Sequence, residues 1–271
     1  MDLSIIVPCY NESKNLERLV NAFRGAVAGH RDVEVVLVDN GSRDDTAQVL
    51  DTLLSRPENA FARSVKVEVN QGYGYGIMYG LERGRGRFLA WTHADMQTPP
   101  EDCIRAWELI RMLPDPEHAL VRGTRRGRPL FDQLFTTGMG WVASAALGSR
   151  LFDVNAQPKV FHRSLLAEMT QAPHDFTLDL YLLFRASQIG IEQHLIEVRF
   201  DRRTAGEAKG GGSLKGKMKL CKRTLTQIWS LRKKLREAGS NATSSRSLDS
   251  SVDSQAQETS AQTKAAQKKA A

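Results

Sequence analysis

The sequence predicts an α/β fold in which a doubly wound, mostly parallel sheet carries helices on both faces. Two observations predict it. Short β-branched apolar runs alternate with stretches whose apolar residues recur at helical spacing, and the apolar runs end in polar or turn-forming residues. In such sheets ligands sit beyond the carboxyl ends of the strands. At 271 residues the chain is long enough for one large domain of this kind or two small ones.

Leu3 to Val7 is an apolar run that stops at Pro8, and Val33 to Val38 is a second that stops at Asp39-Asn40-Gly41-Ser42; both read as buried parallel strands. Between them Leu16, Leu19, Val20, Phe23 and Val27 fall on one helical face, with Asn11 or Ser13 placed to cap it, so the segment forms a β-α-β unit. A second helix follows Ser42, with Asp44 and Asp45 in its first turn and Val49, Leu50, Leu53 and Leu54 on its apolar side. Val65 to Val69 reads as a third strand, Gly76 to Arg83 as a third helix, and Phe88 to Thr92 as a fourth strand. A helix then runs to Met112, and Ala119 to Val121 is a strand that leads into a very basic loop from Arg122 to Arg128. Leu134 to Leu147, rich in Gly, Ala and Ser, reads as a helix too short and too polar to span a membrane. Asp153 to Phe161 is expected to return to the sheet edge, Thr177 to Gln188 to form an amphipathic helix, and Ile196 to Phe200 to be the last strand. Pro8, Asp39, Asn70 and Asp95 all fall at strand ends, which places them on one edge of one sheet.

The formal charge of +7 favours an anionic partner: a nucleotide, a phospholipid surface or a nucleic acid. Cys9, Cys103 and Cys221 are scattered and lack metal-ligand or C-x-x-C spacing, which points to a reducing, cytoplasmic compartment without a disulfide framework. The N-terminus has no basic region ahead of its apolar run, so no signal sequence is expected. Nothing approaches the ~20 apolar residues needed to cross a bilayer. The expectation is a soluble or peripheral protein.

The segment from Trp91 to Pro100 carries the most chemistry. His93, Asp95 and Gln97 alternate after an apolar run, and in a strand alternate side chains share a face while Ala94 and Met96 would pack inward. One carboxylate flanked by two neutral donors suits a divalent cation, Mn2+ or Mg2+, that bridges a diphosphate. A loop with one buried Asp would look the same locally.

Taken in order, Ile5-Ile6-Val7-Pro8-Cys9-Tyr10-Asn11-Glu12, Val36-Leu37-Val38-Asp39-Asn40-Gly41-Ser42 with Asp45-Thr46, Asn70-Gln71-Gly72 and His93-Ala94-Asp95-Met96-Gln97 resemble the signature of family 2 glycosyltransferases, in its dolichol-phosphate-mannose-synthase-like branch. The resemblance extends to roughly Lys209. It implies the GT-A fold and inverting, metal-assisted transfer of a sugar from a UDP- or GDP-linked donor to a lipid phosphate or lipid-linked glycan.

Carried over position by position, the resemblance assigns Pro8, Tyr10, Asn11, Glu12, Asp39, Gly41, Gly72 and Lys209 to the nucleotide-sugar site. Tyr10 is either a stacking face for the base or an aromatic that covers the sheet edge, and Asp39 either accepts from the nucleoside or caps the following helix. The glycines from Gly72 to Gly76 resemble a phosphate cradle but lack the Lys and Ser/Thr of a P-loop. At the metal loop His93 stands where the family's Asp-Ala-Asp has its first carboxylate, so Asp95 is the chief expected ligand, Gln97 a supporting one, and His93 either a ligand or a hydrogen-bonding neighbour. Asp95, Asp179, Arg125 and Arg203 form the expected catalytic set. Asp179 interrupts an apolar face, so it either meets a cation such as Lys159 or Arg203, or acts on the acceptor. The stretch from Arg203 to Lys209 resembles an R-x-x-G-x-S-K loop with Ala208 in place of Ser, and Arg125, Arg203 and Lys209 would clamp phosphate oxygens.

Three regions are expected: a GT-A domain over 1–210, a basic amphipathic helix over 211–238 and a disordered low-complexity tail over 239–271. From Leu214 to Arg236 the chain carries nine Lys and Arg residues and no acid, with Leu214, Met218, Leu225, Ile228 and Trp229 at helical spacing. Such a helix either lies on an anionic membrane surface at the inner face or packs its stripe on the catalytic domain. Two rival readings are a non-catalytic nucleotide-sugar or membrane-surface binder of the same fold, and a nucleic-acid binder. The chain shows no RNA-binding motif, so no nucleic acid is expected as partner.

Overall fold

The computed structural model describes residues 1–126, 138, 141, 144, 145, 148, 151–199, 226, 229, 232 and 233. The chain falls into two units, Met1–Thr224 and Leu225–Ala271. In the second, Thr226, Trp229, Arg232 and Lys233 are helical, and the Arg232 guanidinium lies over the Trp229 ring at 5.2 Å. Arg203, Lys209, most of the segment 211–238 expected to be a basic helix, and the segment 239–271 lie outside the described residues.

In the first unit the order of elements is β1 Leu3–Cys9, α1 Leu16–Ala26, β2 Val33–Asn40, α2 Thr46–Leu54, β3 Ala62–Val67, α3 Tyr73–Arg83, β4 Phe88–Trp91, α4 Glu101–Met112, β5 Ala119–Arg126, β6 Lys159–His162, α5 Leu178–Gln188 and β7 Glu192–Arg199. Seven described strands form one sheet in the order β3-β2-β1-β4-β6-β5-β7. Strands β1 to β4 are parallel, as are β5 and β7, while β6 runs antiparallel to both of its neighbours. The fold is the mostly parallel α/β sheet that the residue pattern predicts.

Alternation along the strands sorts side chains onto two covered faces. Leu3, Ile5, Val7, Val35, Leu37 and Ala90 face α1, α2 and α4, where Leu19, Phe23, Leu50, Trp107 and Ile110 complete one core. On the opposite face α3 lies so close to the sheet that a Cβ at its Gly80 would meet Ile6 and Val38.

Several elements differ from the sequence expectation. The third strand runs over Ala62–Val67 rather than Val65 to Val69, because pairing with β2 recruits the polar Arg63 and Ser64 and leaves Val69 72% exposed. The basic stretch after Val121 is not a loop through Arg126: β7 pairs with every residue of β5, and Arg122, Arg125 and Arg126 engage Gln193, Asp153 and Glu197. The segment expected at the sheet edge becomes β6, inserted between β4 and β5. The helix expected to be amphipathic, α5, is buried from Leu178 through Leu183 because it is covered on more than one side. His93 to Gln97 is a turn with Met96 at φ 57°, not a strand, although Ala94 and Met96 still pack toward the core.

At the far end of the sheet from the strand carboxyl ends, Glu34 is 3% exposed. Its carboxylate accepts from Ser4 Oγ at 2.6 Å, the Arg85 N–H at 2.6 Å and Arg63 Nε at 2.9 Å. Burial alone would raise its pKa, but these donors outweigh burial and hold it below the ordinary 4.5. A depressed folded pKa stabilises the protein above pH 4.5, and that stabilisation is lost as pH falls through the folded value. Glu34→Gln must set its amide NH2 against a donor, either the Arg63 guanidinium or the Arg85 N–H, and should cost about 1.5–3 kcal/mol at neutral pH. Denaturant titrations at pH 7 and in acid should show the gap between the variant and the wild type shrinking as Glu34 protonates.

Candidate active site

The carboxyl ends of β2, β1 and β4 lie side by side. Cys9 is in register with Asp39 and Ile6 with Trp91, and the Thr92 N–H continues the ladder to the Ile6 carbonyl at 3.1 Å. Neighbouring strands are ~4.8 Å apart, so the residues just past these ends share one edge. Pro8 and Asp39 are the next-to-last residues of β1 and β2, Tyr10, Asn11 and Glu12 follow β1 there, Gly41 follows β2, and His93, Asp95 and Gln97 follow β4.

The first two loops hold each other. Asn11, in a left-handed conformation (φ 57°), donates its N–H to Ser42 Oγ at 3.1 Å and accepts from the Arg43 N–H at 2.8 Å. The Glu12 N–H donates to Thr46 Oγ1 at 3.0 Å, and Asn15 Nδ2 donates to the Glu12 carboxylate at 2.6 Å. Asp39 is buried and accepts from the Ser42 N–H at 3.0 Å, which closes the turn at Gly41 (φ 68°). Because α2 starts only at Thr46, Asp39 shapes this turn and is not the helix cap. Burial pushes the Cys9 thiol far up, and the negative charges of Glu12 and Asp39 raise it further. Two carboxylates and the Tyr10 ring at one strand end can accept from base and ribose donors and offer a stacking face.

Gly72 has φ 115°, and a Cβ there would run into the His174 carbonyl. The Tyr75 N–H donates to that same carbonyl at 3.2 Å. The close approach that glycine permits at the start of α3 is therefore to the chain's own backbone in the loop ahead of α5. The Gly72 carbonyl and N–H are also held, by Asn40 Nδ2 at 3.0 Å and Asn70 Oδ1 at 2.9 Å.

At the β4 end, Asp95 Oδ1 accepts from the Gln97 N–H at 3.2 Å, an Asx turn that sets both side chains on one short loop. The His93 ring stacks with Tyr73 at 5.6 Å between centroids, its Nε2 3.4 Å from the Tyr73 hydroxyl. Among the described residues, no group of three or more His, Cys, Asp or Glu side chains is gathered as a metal site. One carboxylate, one amide oxygen and one imidazole on a single loop nevertheless fit a cation whose remaining positions come from phosphate oxygens and water.

Beneath this loop lies a buried charged cluster. Asp179 of α5 and Lys159 of β6 form an ion pair in which the Lys159 side chain is wholly buried. Lys159 Nζ also donates to the Ala156 carbonyl at 3.1 Å and lies 5.4 Å from the Trp91 ring centre. Gln157 Nε2 donates to Asp179 Oδ1 at 2.9 Å, and the Tyr73 hydroxyl donates to Asp179 Oδ2 at 3.2 Å. Burial pushes the Lys159 amine down against the opposing pull of Asp179. Burial likewise pushes the Tyr73 phenol up, with the negative charge of Asp179 and then of Asp95 adding to it. Of the expected partners for Asp179, the structure supplies Lys159.

Arg125, at the end of β5, is held by Asp153. Its backbone N–H donates to Oδ2 at 2.8 Å and its Nε to Oδ1 at 2.9 Å, with Nη2 on the same oxygen. Any phosphate it met would compete with this carboxylate.

Tyr73 and Phe176, whose rings stack at 4.7 Å, were not singled out by the residue pattern. Tyr73 was hidden inside a run read for its glycines. Lys159 carried a legible signal, since a lysine beside Val160 and Phe161 in an apolar strand needs a buried partner.

The family model described as "Glycosyl transferase family 2" matches residues 4–152. The chain is 38% identical over 129 residues to an undecaprenyl-phosphate 4-deoxy-4-formamido-L-arabinose transferase of Pseudomonas fluorescens, covering 46% of this chain and 35% of the relative. A protein of the same name from Photorhabdus laumondii is 27% identical over 214 residues, covering 76% of this chain and 62% of that one. The chain thus spans about a third to three fifths of the length of these curated relatives. Among solved structures it superposes on glucosyl-3-phosphoglycerate synthase from Mycobacterium tuberculosis, in complex with Mn2+, UDP and glucosyl-3-phosphoglycerate, with TM-score 0.63 at 19% identity, covering 85% and 79% of the two chains. A mannosyltransferase from Pyrobaculum calidifontis in complex with GDP-Man and Mn2+ superposes with TM-score 0.57 at 20% identity, covering 73% and 56%. These likenesses show the GT-A-type fold.

Proposed function

The chain belongs to glycosyl transferase family 2, and from that premise we propose that it is an inverting glycosyltransferase that moves a sugar from a UDP- or GDP-linked donor to a lipid phosphate or lipid-linked glycan. The observation that carries this reading is the shared edge on which Pro8 to Glu12, Asp39 and the loop from His93 to Gln97 meet. The names of the relatives, which act on undecaprenyl phosphate, support the acceptor class. The nucleotide and Mn2+ complexes of the structural neighbours support the donor class.

In this reading Asp39 and Glu12 accept from the base and ribose while Tyr10 stacks. Asp95, with Gln97 and His93 beside it, would hold a divalent cation, which when bound neutralises charge growing on the departing nucleoside diphosphate. The residues' own part is to hold donor and acceptor in line. Both oxygens of Asp179 already accept hydrogen bonds. A phosphate acceptor, whose oxygen is already anionic, asks for no proton removal and fits that arrangement best. Arg203 and Lys209 would add positive charge around the diphosphate, as would Arg125 if it exchanged Asp153 for phosphate.

No helix among the described residues is long and apolar enough to cross a membrane. A lipid-linked acceptor would then be met at the inner membrane surface, with the basic stretch from Leu214 to Arg236 as the contact. The place of His93 where the family carries an acid supports a second reading, a non-catalytic nucleotide-sugar binder.

A thermal-shift screen of UDP- and GDP-sugars with and without Mn2+ tests the donor site. Ligand at a hundred times its Kd stabilises by about 2.7 kcal/mol, or roughly 5–10 °C for a domain of this size. A shift with one base and not the other, larger with Mn2+, is expected; no shift with any of them overturns the reading. Sugar transfer to a polyprenyl phosphate then separates the enzyme from the silent binder.

A further inference from the structure

We infer that Tyr73 is the positioning residue of the metal loop, its hydroxyl bridging Asp179 to the Nε2–H of His93 and its ring setting the plane of the imidazole. The inference rests on the reading of His93 to Gln97 as the cation loop.

The direction of the hydrogen bonds follows from proton counting. Asp179 Oδ1 is taken by Lys159 and Gln157, and among the described residues the hydrogen bond to Oδ2 comes from Tyr73 at 3.2 Å. A carboxylate paired with a lysine only accepts, so the single hydroxyl proton of Tyr73 goes to Asp179. The side of the phenol oxygen that meets His93 at 3.4 Å can then only accept, and Nε2 must carry the imidazole proton. Ring contacts add orientation: Tyr73 stacks with His93 at an interplanar angle of 28° and with Phe176 at 14°.

The arrangement gives a reason for the buried ion pair. Lys159 and Asp179 anchor a hydroxyl that anchors the histidine standing in place of the family's acid. Tyr73 thereby ties three separate elements, β6, α5 and the β4 loop, to the start of α3. Hydrogen-bond partners behind a metal-binding imidazole set its tautomer and ring orientation, and their loss typically costs about 10–100-fold in metal affinity.

The test reads the imidazole directly. Nitrogen-15 NMR of metal-free protein labelled in histidine, with the His93 signal assigned by its loss in His93→Gln, should show the Nε2–H tautomer in the wild type. Tyr73→Phe keeps the ring stack and removes the hydroxyl; it should give a mixed tautomer signal. Its Mn2+ affinity, measured by electron paramagnetic resonance with UDP in one arm and GDP in another, should fall about 10–100-fold. A wild-type His93 protonated on Nδ1, or a Tyr73→Phe spectrum and Mn2+ affinity equal to wild type, overturns the inference. If Tyr73→Phe fails to fold, the wild-type spectrum decides. If the wild type binds no Mn2+ in either arm, the cation reading falls, and the imidazole spectrum alone decides whether Tyr73 sets the ring.

Discussion

Asp95→Asn should lower kcat for sugar transfer by about 10²–10³-fold, the cost typical of removing one group that stabilises charge in the transition state. Stability should stay within about 0.5 kcal/mol of wild type. The second expectation follows from the turn: Asp95 Oδ1 accepts from the Gln97 N–H, and the amide oxygen of Asn can accept the same bond. What Asn cannot supply is the negative charge. A melting curve in the absence of ligand should therefore overlay on that of the wild type, while the part of the nucleotide-sugar shift that depends on Mn2+ disappears. Transfer by Asp95→Asn at the wild-type rate would remove this carboxylate from the chemistry.

Lys159→Met should be the most destabilising single change at the site. It leaves Asp179, which is 2% exposed, as a buried carboxylate whose remaining partners among the described residues are Gln157 and Tyr73. Removing one partner of a buried ion pair costs about 3–5 kcal/mol, roughly 6–20 °C in Tm for a domain of this size. Removing the second partner as well, in Lys159→Met with Asp179→Leu, should recover much of that loss, because no unpaired charge remains. The recovered protein should still be impaired in transfer, since Tyr73 has lost the acceptor that fixes its hydroxyl. Full recovery of both stability and activity would mean that the pair serves packing alone. Differential scanning calorimetry on the two single variants and the double variant gives the coupling energy.

Much of the site was legible locally. Asp39 directly follows one apolar run and Asp95 lies four residues past the end of another, so their place at or just beyond a strand end is readable from the runs themselves. The sequence ends the fourth strand at Thr92 and places the metal loop after it, with the convergence of His93, Asp95 and Gln97 expected from strand-like alternation. The structure reaches a shared loop by a different route, an Asx turn with Met96 at positive φ. Side-chain spacing could not tell these apart, because both put Ala94 and Met96 inward. Local sequence points to a loop for the basic residues after Val121, because their partners, Gln193, Asp153 and Glu197, lie far along the chain.

The sequence by itself determined the alternation of strands and helices, the polarity of the strand ends and the family, because each depends on residues within a few positions of one another. Tertiary structure alone decided that β6 enters antiparallel between β4 and β5, which sets Lys159 opposite Trp91 and Arg122. It alone brought Tyr73 to Asp179, 106 residues away. The physical reason is that periodicity encodes which side of an element is buried, while the choice of neighbour is made by packing and by the need of each buried charge for a partner.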